Sequence, residues 1–132
     1  MPQLGGRRRS PLGPCESIAK KIYQIVTWSF VFVNAEAHAE LEALSLDMRA
    51  RFQRIVGLIQ AFGLEQVHEP YIKHIEGSIW EMRLRGRHGI ARALYVTATG
   101  RRIVILRVFT KKTQKTPRRE IELARRRAKE VR

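Results

Sequence analysis

The sequence has very little cysteine and no long apolar run. Cys15 is the only cysteine among 132 residues, which excludes an intrachain disulfide, and no group of cysteines and histidines has the spacing of a zinc site. The apolar stretch 22–33 is too short to span a bilayer as a helix. Gln24, Thr27 and Ser29 interrupt it, unlike the apolar core of a signal peptide. These absences favour a cytoplasmic protein that does not enter a membrane.

Acidic residues are scarce in the last two-fifths of the chain. Residues 80–132 carry 17 lysines and arginines but four acidic residues, a net charge of +13, whereas residues 1–79 carry nine and eight. The whole chain has a net charge of +14 and a pI of about 11.2. Charge concentrated in one block indicates a surface for a polyanion, most simply nucleic acid, rather than a merely solubilising surface.

The N-terminal part predicts a flexible segment followed by a strand and two helices. Residues 1–20 are rich in glycine, proline, arginine and serine, and we expect a flexible basic extension before a single domain at 21–132. The stretch 22–33 is rich in β-branched and aromatic residues and predicts a buried strand. Asn34 and Ser45 suit helix N-caps, and Gly63 suits a helix end. The apolar stripe predicted for the second helix consists of Met48, Phe52, Ile55, Ile59 and Phe62.

The C-terminal part predicts a three-stranded antiparallel sheet and a last helix. Apolar and charged residues alternate over 80–85, and strands follow at Ile90–Thr97 and Arg102–Thr110. Thr116 suits an N-cap with Pro117 in the first turn. The expected buried stripe of this helix is Ile121, Ala124, Ala128 and Val131. The order β-α-α-β-β-β-α predicts an α+β fold with the helices mainly on one face of a small antiparallel sheet.

Loop lengths suggest a register for this sheet. Counting outward from "GRHG" as a four-residue loop and Thr99-Gly100 as a two-residue loop gives a set of facing residues. The pairs on the apolar face are Trp80 with Tyr95, Met82 with Ala93, Leu84 with Ala91, Tyr95 with Val104, Ala93 with Leu106, and Ala91 with Val108. On the other, open face, Arg92 would lie between Arg83 and Arg107.

Such a row of arginines has two interpretations. Facing like charges cost up to about 1 kcal/mol per pair, so a row of them indicates a cradle for phosphates, which guanidinium groups bind bidentately. Alternatively, the arginines extend to solvent or pair with Glu81 and Glu76. The residues expected to extend the RNA-binding surface beside Arg107 are Arg85, Phe109 and Lys111. Phe109 would either stack on a base or pack in the core.

The segment "IWEMRLRGRHGIARALYVTATGRRIVILRVFTKKTQKTPRREIELARRRAKE" carries a family resemblance. It closely resembles the RelE/ParE toxin superfamily, nearest the phage-derived, HigB-like branch of type II toxin–antitoxin systems. The most specific features are "F.KK..KTP..EIE.A" and the preceding "R...G.AR.LY" strand. The resemblance covers approximately residues 22–131.

This resemblance implies a small cytoplasmic endoribonuclease that enters the ribosomal A site, cuts mRNA and needs neither metal nor cofactor. It also implies a helix-turn-helix antitoxin partner of the HigA type. Matched by motif, Arg83, Arg92, Lys111 and Lys112 occupy positions of the family's site. The tyrosine that some members carry in the last helix, and the acidic–histidine pair of others, have no counterpart in "PRREIELA".

The chemistry needs a base for the 2′-OH, charge stabilisation on the phosphate and an acid for the leaving 5′-oxygen. Arginine suits the second role at positions 83, 92 and 107, because it stays ionised. For proton transfer the candidates are Lys112, Lys115 and His88, while Glu81 either takes part or neutralises Arg83. Two other functions remain open: a ParE-like inhibitor of DNA gyrase and a non-catalytic nucleic-acid-binding phage accessory protein.

Overall fold

A computed structural model describes residues 27–111 and 115–132 of the chain. The predicted α+β class, with a helical hairpin before the sheet and a helix after it, is confirmed. The proposed extension 1–20 lies outside the described residues. The elements are β1 (Ser29–Phe32), α1 (Ala35–Glu42), α2 (Leu46–Phe62), a 3-10 turn (Leu64–Gln66), β2 (Ile72–Glu76), β3 (Ile79–Gly86), β4 (Gly89–Ala98), β5 (Arg102–Lys111) and α3 (Arg118–Ala128).

The sheet has five strands in the order β1-β5-β4-β3-β2. It differs from the expected sheet in two ways. First, β2 exists, because Gly77 at φ 53° makes a tight turn that folds it back on β3, so that Ile72 pairs with Met82. Second, β1 pairs with β5 in parallel, from Ser29 with Arg102 to Phe32 with Ile105, so the sheet is mixed rather than antiparallel throughout.

Local capping explains where the first two helices begin and end. Asn34 accepts a hydrogen bond from the Ala37 N–H at 2.9 Å, which confirms it as the N-cap of α1. Ser45 begins α2, but its hydroxyl donates to Asp47 Oδ1 at 2.5 Å instead of capping the backbone. Gly63 ends α2 at φ 90°, a conformation that favours glycine.

Both faces of the sheet are covered, so the expectation of an open face is wrong. The hairpin α1–α2 covers one face, and α3 packs on the other against Leu94, Val96 and Val104. Phe62 of the predicted stripe is 66% exposed and was wrongly placed in the core. The confirmed buried residues of α2 are Met48, Phe52, Ile55 and Ile59.

The predicted register between β4 and β5 is wrong. Ala98 pairs with Arg102, so the turn contains three residues, with positive φ at both Gly100 and Arg101. Further along, Tyr95 pairs with Ile105 but Leu94 pairs with Arg107. The residue between them, Leu106, is therefore a β-bulge, which puts two consecutive residues on one face.

The bulge changes which side chains face which helix. Val104 and Leu106 belong to the core beneath α3, whereas Ile103, Ile105 and Val108 belong to the core beneath the hairpin. Val108 was therefore assigned to the correct face, but Val104 and Leu106 were not. A regular ladder counted from the turn cannot give this arrangement, because the turn and the bulge each shift the pairing by one residue.

The predicted register between β3 and β4 is confirmed. Arg83 pairs with Arg92, and Trp80 pairs with Tyr95. The connecting loop is shorter than expected, because Gly86 pairs with Gly89 and leaves two loop residues. Gly86 lies against α2 so closely that an added Cβ would be 2.8 Å from Met48 Cγ. Any larger residue there would require the Met48 and Asp47 side chains to shift.

The last helix begins differently from the prediction. Pro117 occupies the N-cap position of α3, and the Thr116 hydroxyl donates to Glu81 instead of capping the helix. Ile121 and Ala124 are buried as predicted, and Ala128 is partly buried. Val131 lies beyond the end of the helix but packs on the same cluster. Across residues 27–111 and 115–132, no helix is long and apolar enough to cross a membrane.

Candidate functional site

Rows of facing residues cross β5, β4 and β3 on the face covered by α3. Arg92 lies between Phe109 and Arg83, while Arg107 lies one row away, opposite Leu94. The expected row of three arginines is therefore reduced to one facing pair. The three rows are Arg107–Leu94–Glu81, Phe109–Arg92–Arg83 and Lys111–Ile90–Arg85. All six predicted positions on the strands are still in these rows: Arg83, Arg85, Arg92, Arg107, Phe109 and Lys111.

Glu81 is the centre of the arrangement, and its side chain is 0% exposed. Arg92 Nη1 donates to Glu81 Oε1 at 2.5 Å, and Thr116 Oγ1 donates to Glu81 Oε2 at 2.5 Å. Arg83 Nε lies 3.5 Å from Glu81 Oε1. A buried carboxylate is tolerated only when it is paired and hydrogen-bonded. Glu81 therefore compensates both arginines and ties the segment before α3 to the sheet.

Arg92 is buried, with 3% of its surface exposed. Its Nε has no hydrogen-bond partner among the described residues. The placement corrects the expectation of an arginine that faces solvent: Arg92 neutralises Glu81 and does not reach a phosphate in this conformation. Arg83 is different, because 28% of its side chain remains exposed while it contacts the same carboxylate.

Arg107 is also engaged by carboxylates. Its Nε donates to Glu120 Oε1 at 2.7 Å, and its Nη1 lies 2.7 Å from Glu40 Oε2. The hydrogen bond with Glu120 is the main reason why the pKa of Arg107 is raised above its ordinary value. Phe109 lies below this guanidinium, 5.9 Å from ring centroid to Arg107 Cζ, and is 7% exposed. Phe109 thus packs in the core, and base stacking is not open to it here.

Glu40 connects α1 to β5 and α3. It accepts from the Val108 N–H and from Arg127 Nη1, each at 3.0 Å. Burial raises the pKa of Glu40, but the hydrogen bonds from Arg127 and Val108 and the charge of Arg107 outweigh it, so that the pKa is lowered. Arg127 also donates to the Leu106 carbonyl at 2.9 Å. These contacts hold α3 against α1 and β5.

A cleft of about 450 Å³ opens along β2 and the start of α3. Lys115 and Thr116 line it opposite Glu81. His74 and Lys73 also line it, and neither was predicted. The glycine in "KHIEGSIW" is the sequence feature that could have indicated these residues. A turn at Gly77 pairs His74 with Trp80, and their ring centroids are 4.9 Å apart.

The remaining predicted residues lie at the opposite end of β3. His88 is exposed in the β3–β4 loop, and Arg85 is exposed just before it. Five residues of strand separate Glu81 from Gly86, approximately 16 Å. His88 therefore lies at the far end of β3 from the cleft that Lys115 lines. Lys111 ends β5, but its side chain, like the whole of Lys112, lies outside the described residues.

Comparison with known proteins identifies a protein family whose profile matches this chain. The profile of the family described as "Phage derived protein Gp49-like" matches residues 39–129. Among solved structures, the chain is similar to one from the archaeal RelE–RelB complex of Pyrococcus horikoshii OT3, with 17% identity and a TM-score of 0.49 over 64% of this chain and 94% of that chain. No curated protein matches the sequence.

Proposed function

Because the chain belongs to the phage-derived Gp49-like family, a RelE/HigB-type toxin family, we propose that it is the toxin of a type II toxin–antitoxin system. Its activity is that of a ribosome-dependent mRNA endoribonuclease in the cytoplasm. The 2′-oxygen attacks the adjacent phosphorus, so an O2′–P bond forms and the P–O5′ bond breaks. A base takes the 2′ proton, and an acid gives a proton to the 5′-oxygen.

The observation that supports cleavage most is a partly exposed arginine held by a buried carboxylate. Arg83 contacts Glu81, which is fully buried, yet keeps 28% of its side chain accessible. Arg83 Nε has no hydrogen-bond partner among the described residues, so its contact with Glu81 is electrostatic, and its guanidinium is suited to stabilise the negative charge that develops on a phosphate. Arg83 is therefore the proposed phosphate-binding group of the reaction.

Arg92 and Thr116 act as positioning residues in this proposal. Arg92 compensates the charge of Glu81 at 2.5 Å, which fixes the carboxylate that orients Arg83. Thr116 binds the other oxygen of Glu81 and thereby holds Lys115 at the cleft. Lys115 is the proposed proton-transfer group, with Lys112 as the alternative that the family resemblance favours. Arg85 and Lys111, two positions further along the strands, would contact flanking RNA.

The proposed partners are the ribosome with its mRNA and a helix-turn-helix antitoxin of the HigA type that silences the toxin. The antitoxin proposal rests on family membership, since such toxins are encoded beside their inhibitors. Co-expression tests it directly: the product of the adjacent reading frame is expected to abolish growth arrest and to co-purify with this chain.

The cleavage proposal is tested with purified protein in a translating extract, by mapping RNA 5′ ends. Wild type is expected to cut only translated mRNA. Lys115→Ala and Arg83→Gln are expected to lose most of the cutting, whereas Lys129→Gln, an exposed lysine after α3, leaves it unchanged. Unfolding curves must show that each variant is folded. Full cutting by folded Arg83→Gln would contradict the proposed role, and inhibition of supercoiling without RNA cuts would identify a gyrase inhibitor instead.

A further inference from the structure

A second cleft, of about 580 Å³, lies where the first half of α2 meets the β3–β4 loop. It lies at the other end of β3 from Glu81, which lines the cleft beside Lys115. Four arginines line it: Arg51, Arg54, Arg85 and Arg87. The other residues that line it are Asp47, Ala50, Tyr71 and Gly86. A concave surface lined by several cations focuses its field on an anionic ligand.

These arginines differ from those beneath α3 in their partners. Beneath and along α3, six arginines lie within 4 Å of a carboxylate: Arg83, Arg92, Arg107, Arg118, Arg125 and Arg127. Within residues 27–111 and 115–132, no carboxylate pairs with any of the four arginines of the second cleft. Their charge is therefore available to a ligand, whereas the charge beneath α3 is largely neutralised by the protein itself.

Asp47 also lines the cleft, and its ionised carboxylate offsets part of this charge, but among the described residues it forms no ion pair with any of the four arginines. Its carboxylate accepts from the Ser45 hydroxyl, from the Arg87 N–H and from the Met48 N–H. The hydrogen bond from Ser45, followed by that from the Arg87 N–H, lowers the pKa of Asp47 to about 2. Asp47 is thus engaged in fixing the β3–β4 loop to the start of α2.

The cleft is held in shape by its neighbours. Gly86 packs on side chains of α2: a Cβ added there would lie 2.8 Å from Met48 Cγ and 2.9 Å from Asp47 Oδ2. Arg51 lies over the Tyr71 ring, with Cζ 6.0 Å from the ring centroid. Arg51 and Arg54, three residues apart on α2, share one side of the helix. Arg51 and Arg54 lie on α2 and Arg85 lies on β3, so the backbone that carries them is ordered before binding.

We propose that this cleft binds the phosphodiester backbone of a nucleic acid, separately from the residues assigned to cleavage. Guanidinium groups match phosphate oxygens in geometry and charge. Contacts of this kind position a nucleic acid without reading its sequence. The proposal extends the ribonuclease function but does not depend on it, because binding here needs no reaction.

The test uses an RNA that cannot be cleaved through its 2′-oxygen. A fluorescent 2′-O-methyl RNA of about 20 nucleotides and a DNA of the same sequence are titrated over a range of salt concentrations, since each phosphate contact to a single strand contributes about 0.7 to the slope of log affinity against log salt. The variant is Arg54→Gln/Arg87→Gln. Its matched control, Arg119→Gln/Arg126→Gln, removes two exposed arginines of α3 that have no carboxylate partner among the described residues.

The cleft variant is expected to weaken binding and to lower the slope by about 1.4, whereas the control keeps the wild-type slope. Tighter binding of the RNA than of the DNA would identify RNA as the natural source of the phosphates, and equal binding would indicate that either backbone is accepted. An unchanged slope in the cleft variant, or an equal loss in the control, would overturn the proposal. If the wild-type protein binds these nucleic acids but makes no RNA cuts in the translating extract, the result would count against the ribonuclease assignment alone.

Discussion

Removing the Arg92 guanidinium is expected to destabilise the fold strongly. In Arg92→Met the apolar part of the side chain remains, but Glu81 loses the donor at 2.5 Å. Glu81 is fully buried, so its charge cannot turn to water. Thr116 remains as a donor, and Arg83 remains at 3.5 Å. Breaking a buried ion pair by removing one partner costs about 3–5 kcal/mol, and Arg83 is too exposed to restore much of this.

The double variant Glu81→Gln/Arg92→Met provides the comparison. It removes both charges while Gln keeps an oxygen for the Thr116 hydroxyl. Because no buried charge is left alone, the double variant is expected to be more stable than Arg92→Met. With Glu81→Gln as the second single variant, these proteins form a double-mutant cycle, and its coupling free energy should be on the order of 2 kcal/mol, within the range for residues in direct contact.

Urea unfolding followed by circular dichroism measures these differences through the midpoint and slope. A loss of less than about 1 kcal/mol in Arg92→Met would refute the reasoning, because such a value is typical of a solvent-exposed ion pair. Equal stability of the single and double variants would refute it as well. The result also bears on toxicity assays: an inactive Arg92→Met protein shows a catalytic defect only if it remains folded.

Two further predictions concern the junction of α2 with the β3–β4 loop. Gly86→Ala is expected to lower the free energy of unfolding by about 1–3 kcal/mol, as overpacking does, because its Cβ would lie 2.8 Å from Met48 Cγ. At Gly57, in contrast, an added Cβ meets nothing within 4 Å. Gly57→Ala should therefore stabilise α2 by about 0.5–1 kcal/mol. Thermal unfolding of both variants checks this, and equal effects would contradict it. Because the pKa of Asp47 is lowered from 3.8 to about 2, its stabilising contribution is fully present above its unfolded-state pKa and is lost as pH falls through the folded-state value. Between pH 4 and 2 the free energy of unfolding should therefore fall more for wild type than for Asp47→Asn. If the two proteins showed parallel curves of unfolding free energy against pH, the hydrogen bonds from Ser45 and Arg87 would be contradicted.

Local patterns in the sequence predicted much of the fold. The cap at Asn34, the stripe from Met48 to Ile59 and the pairing of Arg83 with Arg92 follow from nearby sequence, and the structure has all three. Capping and helical periodicity need only a few neighbouring residues. The β3–β4 register follows from a single tight turn and an alternating pattern.

Features that depend on distant contacts were not predictable in this way. Arg101 at positive φ and the bulge at Leu106 shift β5 by two residues, and neither has a distinctive local signal. Thr116 has the sequence context of a helix cap, but a buried carboxylate on β3 binds its hydroxyl. Nothing in the spacing of charges shows that Arg92 is buried in an ion pair with Glu81. The second cleft was missed because α2 supplies Arg51 and Arg54 while a separate hairpin supplies Arg85 and Arg87.

The central claim, that this chain cuts mRNA during translation, is tested most directly by inducible expression followed by sequencing of RNA 5′ ends, with and without the adjacent gene. New 5′ ends are expected within translated codons soon after induction, at positions absent from untranslated RNA. They should disappear when the product of the adjacent reading frame, the proposed antitoxin, is co-expressed. Growth arrest without new 5′ ends would contradict the claim.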